Sequence, residues 1–129
     1  MEKEFVPYEL ALKIKELGFD EECFSYYDLN NKPNFFGSDN LMDTHCVQVN
    51  RPTYSQAFRF FREKHYLISS IYQLGVSIKT GLSSFEYMID KLNNLGLSQF
   101  IEDFPYNTYE EAEIACLENL IELVESKSE

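Results

Sequence analysis

Thr108-Tyr109-Glu110-Glu111-Ala112-Glu113-Ile114-Ala115-Cys116-Leu117-Glu118-Asn119-Leu120-Ile121-Glu122-Leu123-Val124 is the stretch on which the fold turns. Thr108 and Glu111 have the spacing of a capping box, in which each residue's side chain meets an orphan N–H at a helix start. Glu110, Glu111 and Glu113 crowd the first turn, where the helix dipole favours negative charge. Ala112, Ala115, Cys116, Leu117, Leu120, Ile121 and Val124 then form a wide apolar arc. An arc of that width predicts a helix packed deep against a sheet.

Working outward, Thr53 and Gln56 repeat the same signature. They open a second predicted helix that ends near Lys64-His65, with Tyr54, Ala57, Phe58 and Phe61 on one face. The shared Thr-Tyr-x-x-Ala pattern stops after five residues, so two independent caps explain it better than a duplication. A first helix follows Pro7, whose missing N–H suits the opening turn. Leu10, Ile14 and Leu17 are its stripe, Gly18 is a left-handed stop, and Phe19 is the apolar residue that folds back.

The segments between the helices read as strands. Residues 23–27 are aromatic and short, and residues 44–49 alternate weakly. Turn signals at Asn30-Asn31, Lys32-Pro33 and Gly37-Ser38-Asp39-Asn40 bracket Asn34-Phe35-Phe36, which predicts a loop with a short strand inside it. Residues 66–74 are β-branched and aromatic, with an extension past Gly75. Residues 85–92 pair back as a hairpin. Phe85, Ile89 and Leu92 also fit a helical period there, but the alternation favours strand. Residues 93–107 read as a connection, with Phe100-Ile101 as a short edge strand. The expectation is α+β: a small antiparallel sheet packed by about three helices, in the order α-β-(β)-β-α-β-β-α.

The chain has 129 residues, 44% of them hydrophobic. That fits one domain over 1–129, with 1–5 and 126–129 frayed. No apolar run reaches the 18 residues or so of a membrane span. Met1-Glu-Lys-Glu-Phe-Val-Pro7 lacks a basic start and an apolar stretch, so a cytoplasmic protein is expected. Cys23, Cys46 and Cys116 are widely spaced, without a C-x-x-C. They read as small buried hydrophobes and not as a disulfide framework or a zinc site.

Charge is segregated. Residues 1–50 carry net −6, residues 51–100 carry +3, and residues 101–129 carry −8, for a total of −11. So acidic a chain repels a nucleic-acid backbone. Arg51, Arg59 and Arg62 fall within twelve positions. They form the candidate anion-binding cluster, able to clamp a carboxylate or phosphate. Ion pairing, with Glu63 four residues from Arg59 or with the acidic last helix, is the structural alternative. His45 beside Cys46 is a poor catalytic pair, because adjacent strand residues point to opposite faces. His65 suits the end of a helix. No H-E-x-x-H, phosphate-loop or EF-hand string occurs, and no catalytic residue, metal or cofactor is expected.

The stretches Pro52-Thr-Tyr-Ser-Gln-Ala-Phe-Arg-Phe-Phe-Arg-Glu-Lys64 and Asn107-Thr-Tyr-Glu-Glu-Ala-Glu-Ile-Ala-Cys-Leu-Glu-Asn-Leu-Ile121 together resemble short uncharacterised proteins of bacteriophages and prophages. The likeness covers most of residues 50–125. It implies a phage-linked gene and a bacterial host cytoplasm or a virion, and it brings no activity with it. Strands followed by a Glu-Ala helix also bring to mind a double-stranded-RNA-binding domain. That module needs lysines where this helix starts with glutamates, so the analogy fails on sign.

The leading functional expectation is a non-enzymatic, phage-linked accessory protein that acts through protein–protein contacts. Nine Tyr and eleven Phe suit contact surfaces. The alternatives are an acidic mimic of nucleic acid that blocks a host DNA-binding protein, a small-anion-binding protein or enzyme using Arg51, Arg59 and Arg62, and a structural or virion protein. The expected partner is protein, without a membrane or nucleic acid, and the charge segregation is compatible with a homo-oligomer.

Overall fold

The structure, a computed structural model, describes residues 2–36, 47–76, 83–92 and 98–127. The chain is α+β, with three helices and two small antiparallel sheets. It forms two compact units, Met1–Ala57 and Phe58–Glu129. Among the described residues, no helix is long and apolar enough to cross a membrane.

In the first unit, a 3-10 turn at Glu2–Glu4 leads to helix α1, Tyr8–Glu16. Pro7 is its N-cap. At the other end Gly18 takes φ 105°. The Gly18 N–H donates to Lys15 O at 3.0 Å, and the Phe19 N–H to Ile14 O at 3.2 Å. These two bonds are the Schellman closure that the glycine predicts, and Phe19 is buried beside it. Three strands follow: β1 (Ser25–Asp28), β2 (Pro33–Phe35) and β3 (Val47–Arg51), in the order β2-β1-β3. Helix α1 lies against β3. Phe5, read as part of a frayed end, is buried. It bridges to Thr53, while the Val6 N–H donates to Pro52 O at 2.9 Å.

Helix α2, Tyr54–His65, starts in the first unit and ends in the second. Its capping box is complete. The Gln56 N–H donates to Thr53 Oγ1 at 3.2 Å, and the Thr53 N–H donates to Gln56 Oε1 at 3.0 Å. The buried face runs through Tyr54, Ala57, Phe60 and Phe61, with Phe58 only half-buried. The steps of three and four residues from Ala57 to Phe60 and Phe61 share one side of a helix, from which Phe58 is turned by about 100°.

The second unit holds β4 (Leu67–Val76), β5 (Ser83–Leu92), β6 (Ser98–Tyr106) and α3 (Tyr109–Lys127). The sheet order is β4-β5-β6. Residues 85–92 are therefore strand, and the expected connection contains a nine-residue strand. The arc of α3 packs on this sheet. Ala112, Cys116, Leu117, Leu120, Ile121 and Val124 are buried, as are Leu67, Tyr87 and Ile89 beneath them. Asn119 Nδ2 donates to Tyr87 Oη at 3.0 Å and fixes the helix on β5. At its N-terminus the Glu111 N–H donates to Thr108 Oγ1 at 3.1 Å. The returning bond comes from the Asn107 N–H to Glu111 Oε2 at 3.2 Å.

Candidate functional site

Strand register builds the best-defined cluster of the first unit. Ser25 of β1 stands opposite Arg51 of β3 on one side and Phe35 of β2 on the other. The next row on the same face is Pro33, Tyr27 and Val49. Arg51 is only 4% exposed. Its guanidinium carbon lies 4.3 Å from the centre of the Phe5 ring, 5.5 Å from Tyr27 and 5.9 Å from Phe35. Arg51 Nη1 donates to Ser25 Oγ at 3.2 Å, and Ser25 Oγ donates onward to Asn34 O at 2.6 Å. Nε is buried without a hydrogen-bond partner among the described residues. Three ring faces and one hydroxyl therefore take the place of a carboxylate. Ring faces attract a guanidinium by about 0.5–2 kcal/mol each, more when water is excluded.

The walls of this box are themselves tied down. Phe5 meets Phe35 edge-on at 5.6 Å. The Tyr27 hydroxyl donates to Val6 O at 2.7 Å, and its ring meets Tyr8 at 5.5 Å. Beyond the box, the open end of the β1–β2 hairpin carries an aromatic rim of Phe24, Phe35 and Phe36, with Phe35 on the Arg51 face and Phe36 on the Tyr26 face, and Leu29 is exposed separately at the turn. Phe24 is 73% exposed, Leu29 68%, Phe35 41% and Phe36 37%. Phe36 packs on Tyr26 at 4.7 Å, and its N–H donates to Phe24 O at 3.0 Å. A groove of about 340 Å³ beside Phe36 is lined by Glu22, Cys23 and Asn50.

Asp28 sets the turn that carries Leu29. Its Oδ1 accepts from the Asn30 N–H at 2.8 Å and the Lys32 N–H at 3.0 Å, and its Oδ2 accepts from Asn34 Nδ2 at 2.9 Å. The Lys32 N–H, followed by those of Asn30 and Asn34, holds the Asp28 carboxyl below the usual carboxylate range. Asn31 takes φ 63°, a conformation that asparagine tolerates.

The arginines read together in the sequence have different surroundings. Arg51 is enclosed in its box in the first unit. Arg59 and Arg62 are exposed on the part of α2 that belongs to the second unit. His65 ends α2 as expected, half-buried, with its ring 5.2 Å from Phe60 and 5.8 Å from Phe61. His45 and Cys46 lie outside the described residues. Burial pushes the Cys116 thiol up to about 12. Burial, with the Glu21 carboxylate beside it, does the same to Cys23. A thiol so hard to ionise is a weak nucleophile. Among the described residues no group of three or more His, Cys, Asp or Glu side chains is placed to hold a metal ion.

The rim is what reasoning from sequence missed. The adjacent Phe35-Phe36 pair within an Asn-, Pro- and Gly-rich segment is its only signal, and nothing local shows that both rings are left exposed. The chain matches no protein-family model, no curated protein and no solved structure.

Proposed function

We propose that this chain is a non-enzymatic interaction protein whose partner docks on the rim of the β1–β2 hairpin. The observation that carries this reading is the exposure of Phe24, Leu29, Phe35 and Phe36 on one hairpin. Exposed aromatic groups that can enter, or be entered by, a partner's pockets are what binding hot spots are made of. The rim is held in shape before binding, by the Arg51 box beneath Phe35 and by the packing of Phe36 on Tyr26, which lowers the ordering cost of association. The acids at Asp20, Glu21, Glu22 and Asp28 suit a partner with basic groups around an apolar centre. The likeness of the capped helices to phage and prophage proteins supports a bacterial host protein as that partner.

The test is affinity purification of the tagged chain from infected or lysogenic cells, beside a Phe24→Ser/Leu29→Ser variant. The expected result is a host protein recovered in stoichiometric amount with the parent and lost with the variant, whose circular dichroism stays unchanged. Recovery of the chain alone, or equal recovery with both forms, overturns the reading.

One observation favours nucleic-acid mimicry as a second reading. Glu111, Glu118, Glu122 and Glu125 are all exposed on α3, and steps of seven, four and three residues place them on one side of it. Competition between this chain and duplex DNA for host DNA-binding proteins, weakened by Glu118→Gln/Glu122→Gln, is its expected signature. An unchanged competition profile in that variant counts against it.

A further inference from the structure

Among the described residues, the outer edge of β4 is unpaired. Strand order ends at β4, and among the described residues no backbone hydrogen bond reaches it from outside its own sheet. An unpaired edge presents a row of N–H and C=O groups to another strand, and proteins usually blunt it with charge, proline or a bulge. β4 reads Leu-Ile-Ser-Ser-Ile-Tyr-Gln-Leu-Gly-Val, without a charged residue or a proline. Its only irregularity lies at the far end, between Gln73 and Gly75. The seven residues before it pair regularly with β5. Leu67, Ser69 and Ile71 face α3, while Ile68 and Tyr72, with Tyr66 just before the strand, are exposed at 41%, 36% and 66%.

We infer that this edge pairs with the same edge of a second copy of the chain. Two observations point to a copy and not to another protein. First, the strand is self-complementary. Antiparallel pairing about a two-fold axis at Ser70 sets Ile68 opposite Tyr72 of the second copy, and does so twice. Aromatic–β-branched pairs of that kind stabilise a sheet, and the two three-stranded sheets join into one of six strands. Second, the chain as a whole carries −11, so two copies repel over most of their surface. The ten residues of β4 are a stretch along which like meets like without like charges meeting. The surface is distinct from the hairpin rim and does not depend on it.

The charge argument fixes the sign of the salt effect. Screening shortens the Debye length from about 30 Å at 0.01 M to about 3 Å at 1 M, so added salt tightens this dimer. A head-to-tail contact between basic and acidic segments loosens instead. Sedimentation equilibrium of the full chain at low and high sodium chloride is the experiment, with Ile68→Lys expected to raise the dimer Kd by about tenfold or more. Ser70→Cys supplies the register. Residues directly opposite each other in an antiparallel pair lie about 4.5–5.5 Å apart at Cα, within disulfide range. Under mild oxidation Ser70→Cys is expected to form covalent dimer faster than the parent or Ser69→Cys, whose thiol faces α3. A monomer at both salt concentrations overturns the proposal. So does a dimer that loosens with salt, or a Ser70→Cys variant that crosslinks no faster than Ser69→Cys.

Discussion

Arg51 and Ser25 face each other across the β1–β3 ladder, and the guanidinium donates to the hydroxyl at 3.2 Å beneath the rings of Phe5, Tyr27 and Phe35. A buried cation held this way contributes through the packing of its stem and through the ring faces. Arg51→Ala, which leaves a cavity, is expected to cost about 2–4 kcal/mol in urea unfolding. Arg51→Met keeps the volume and removes the charge, and is expected to stay within about 1 kcal/mol of the parent. Stabilisation by phosphate in the parent, absent from Arg51→Met, would return Arg51 to the role of an anion ligand.

The two caps differ in how their bonds close, which makes them separable. At α2 Thr53 and Gln56 bond reciprocally, and Gln56 Nε2 also donates to Glu22 O at 2.9 Å. At α3 the return bond comes from Asn107 and not from Thr108. Thr53→Ala and Thr108→Ala are each expected to cost about 1 kcal/mol. Coupling in a double-mutant cycle is expected for Thr53 with Gln56, and a smaller coupling for Thr108 with Glu111. Chemical denaturation of the two sets of single and double variants measures both.

Tyr66 follows the end of α2 with φ 57°. A side chain in that left-handed region costs about 1–2 kcal/mol, and glycine removes the cost. The ring is 66% exposed, so little packing is lost with it. Tyr66→Gly is expected to raise stability by about 0.5–1 kcal/mol, and Tyr66→Ala to leave the strain in place. A Tyr66→Gly variant that melts below Tyr66→Ala would show that the ring holds the structure in another way.

Asp28 gives the first unit an acid dependence of defined sign. Its carboxyl is held below its usual value in the folded chain, chiefly by the Lys32 N–H. The stability it contributes is therefore present above its unfolded value and is lost as pH falls through the lower folded one. Asp28→Asn is expected to melt lower than the parent at neutral pH, with the gap closing under acid conditions. Melting temperature followed from neutral pH down to the low end of the carboxylate range measures it.

What the sequence made legible was short in range. The Gly18 stop and the Thr53 and Thr108 caps involve residues three to five positions apart, and their geometry follows from local chemistry. At 85–92 the alternation favours strand over a helical period that Phe85, Ile89 and Leu92 also fit, and the pairing with β4 and β6 decides for strand. The partition into two sheets could not be foreseen, because which strand pairs with which is decided by distant residues. Residues 93–107 read as a connection with a short edge strand at Phe100-Ile101, and the strand found there runs over Ser98–Tyr106. It is an edge strand, and its ladder with β5 slips between Phe85 and Tyr87, where Pro105 is left out of the pairing. The candidate site shows the same limit. Nearness along the chain groups Arg51 with Arg59 and Arg62, and strand register adds a partner for Arg51 that spacing does not show, Ser25, 26 positions away.

Cys23 and Cys116 lie one in each unit, and both thiols are held protonated by burial. Only Cys116 is closed off, whereas Cys23 lines the groove beside Phe36 and is half-buried. That makes Cys116 a clock. An alkylating reagent labels it only while the chain around it opens, so its labelling time course records how often the second unit breathes. The lifetime of that unit can be read without any probe having to be added.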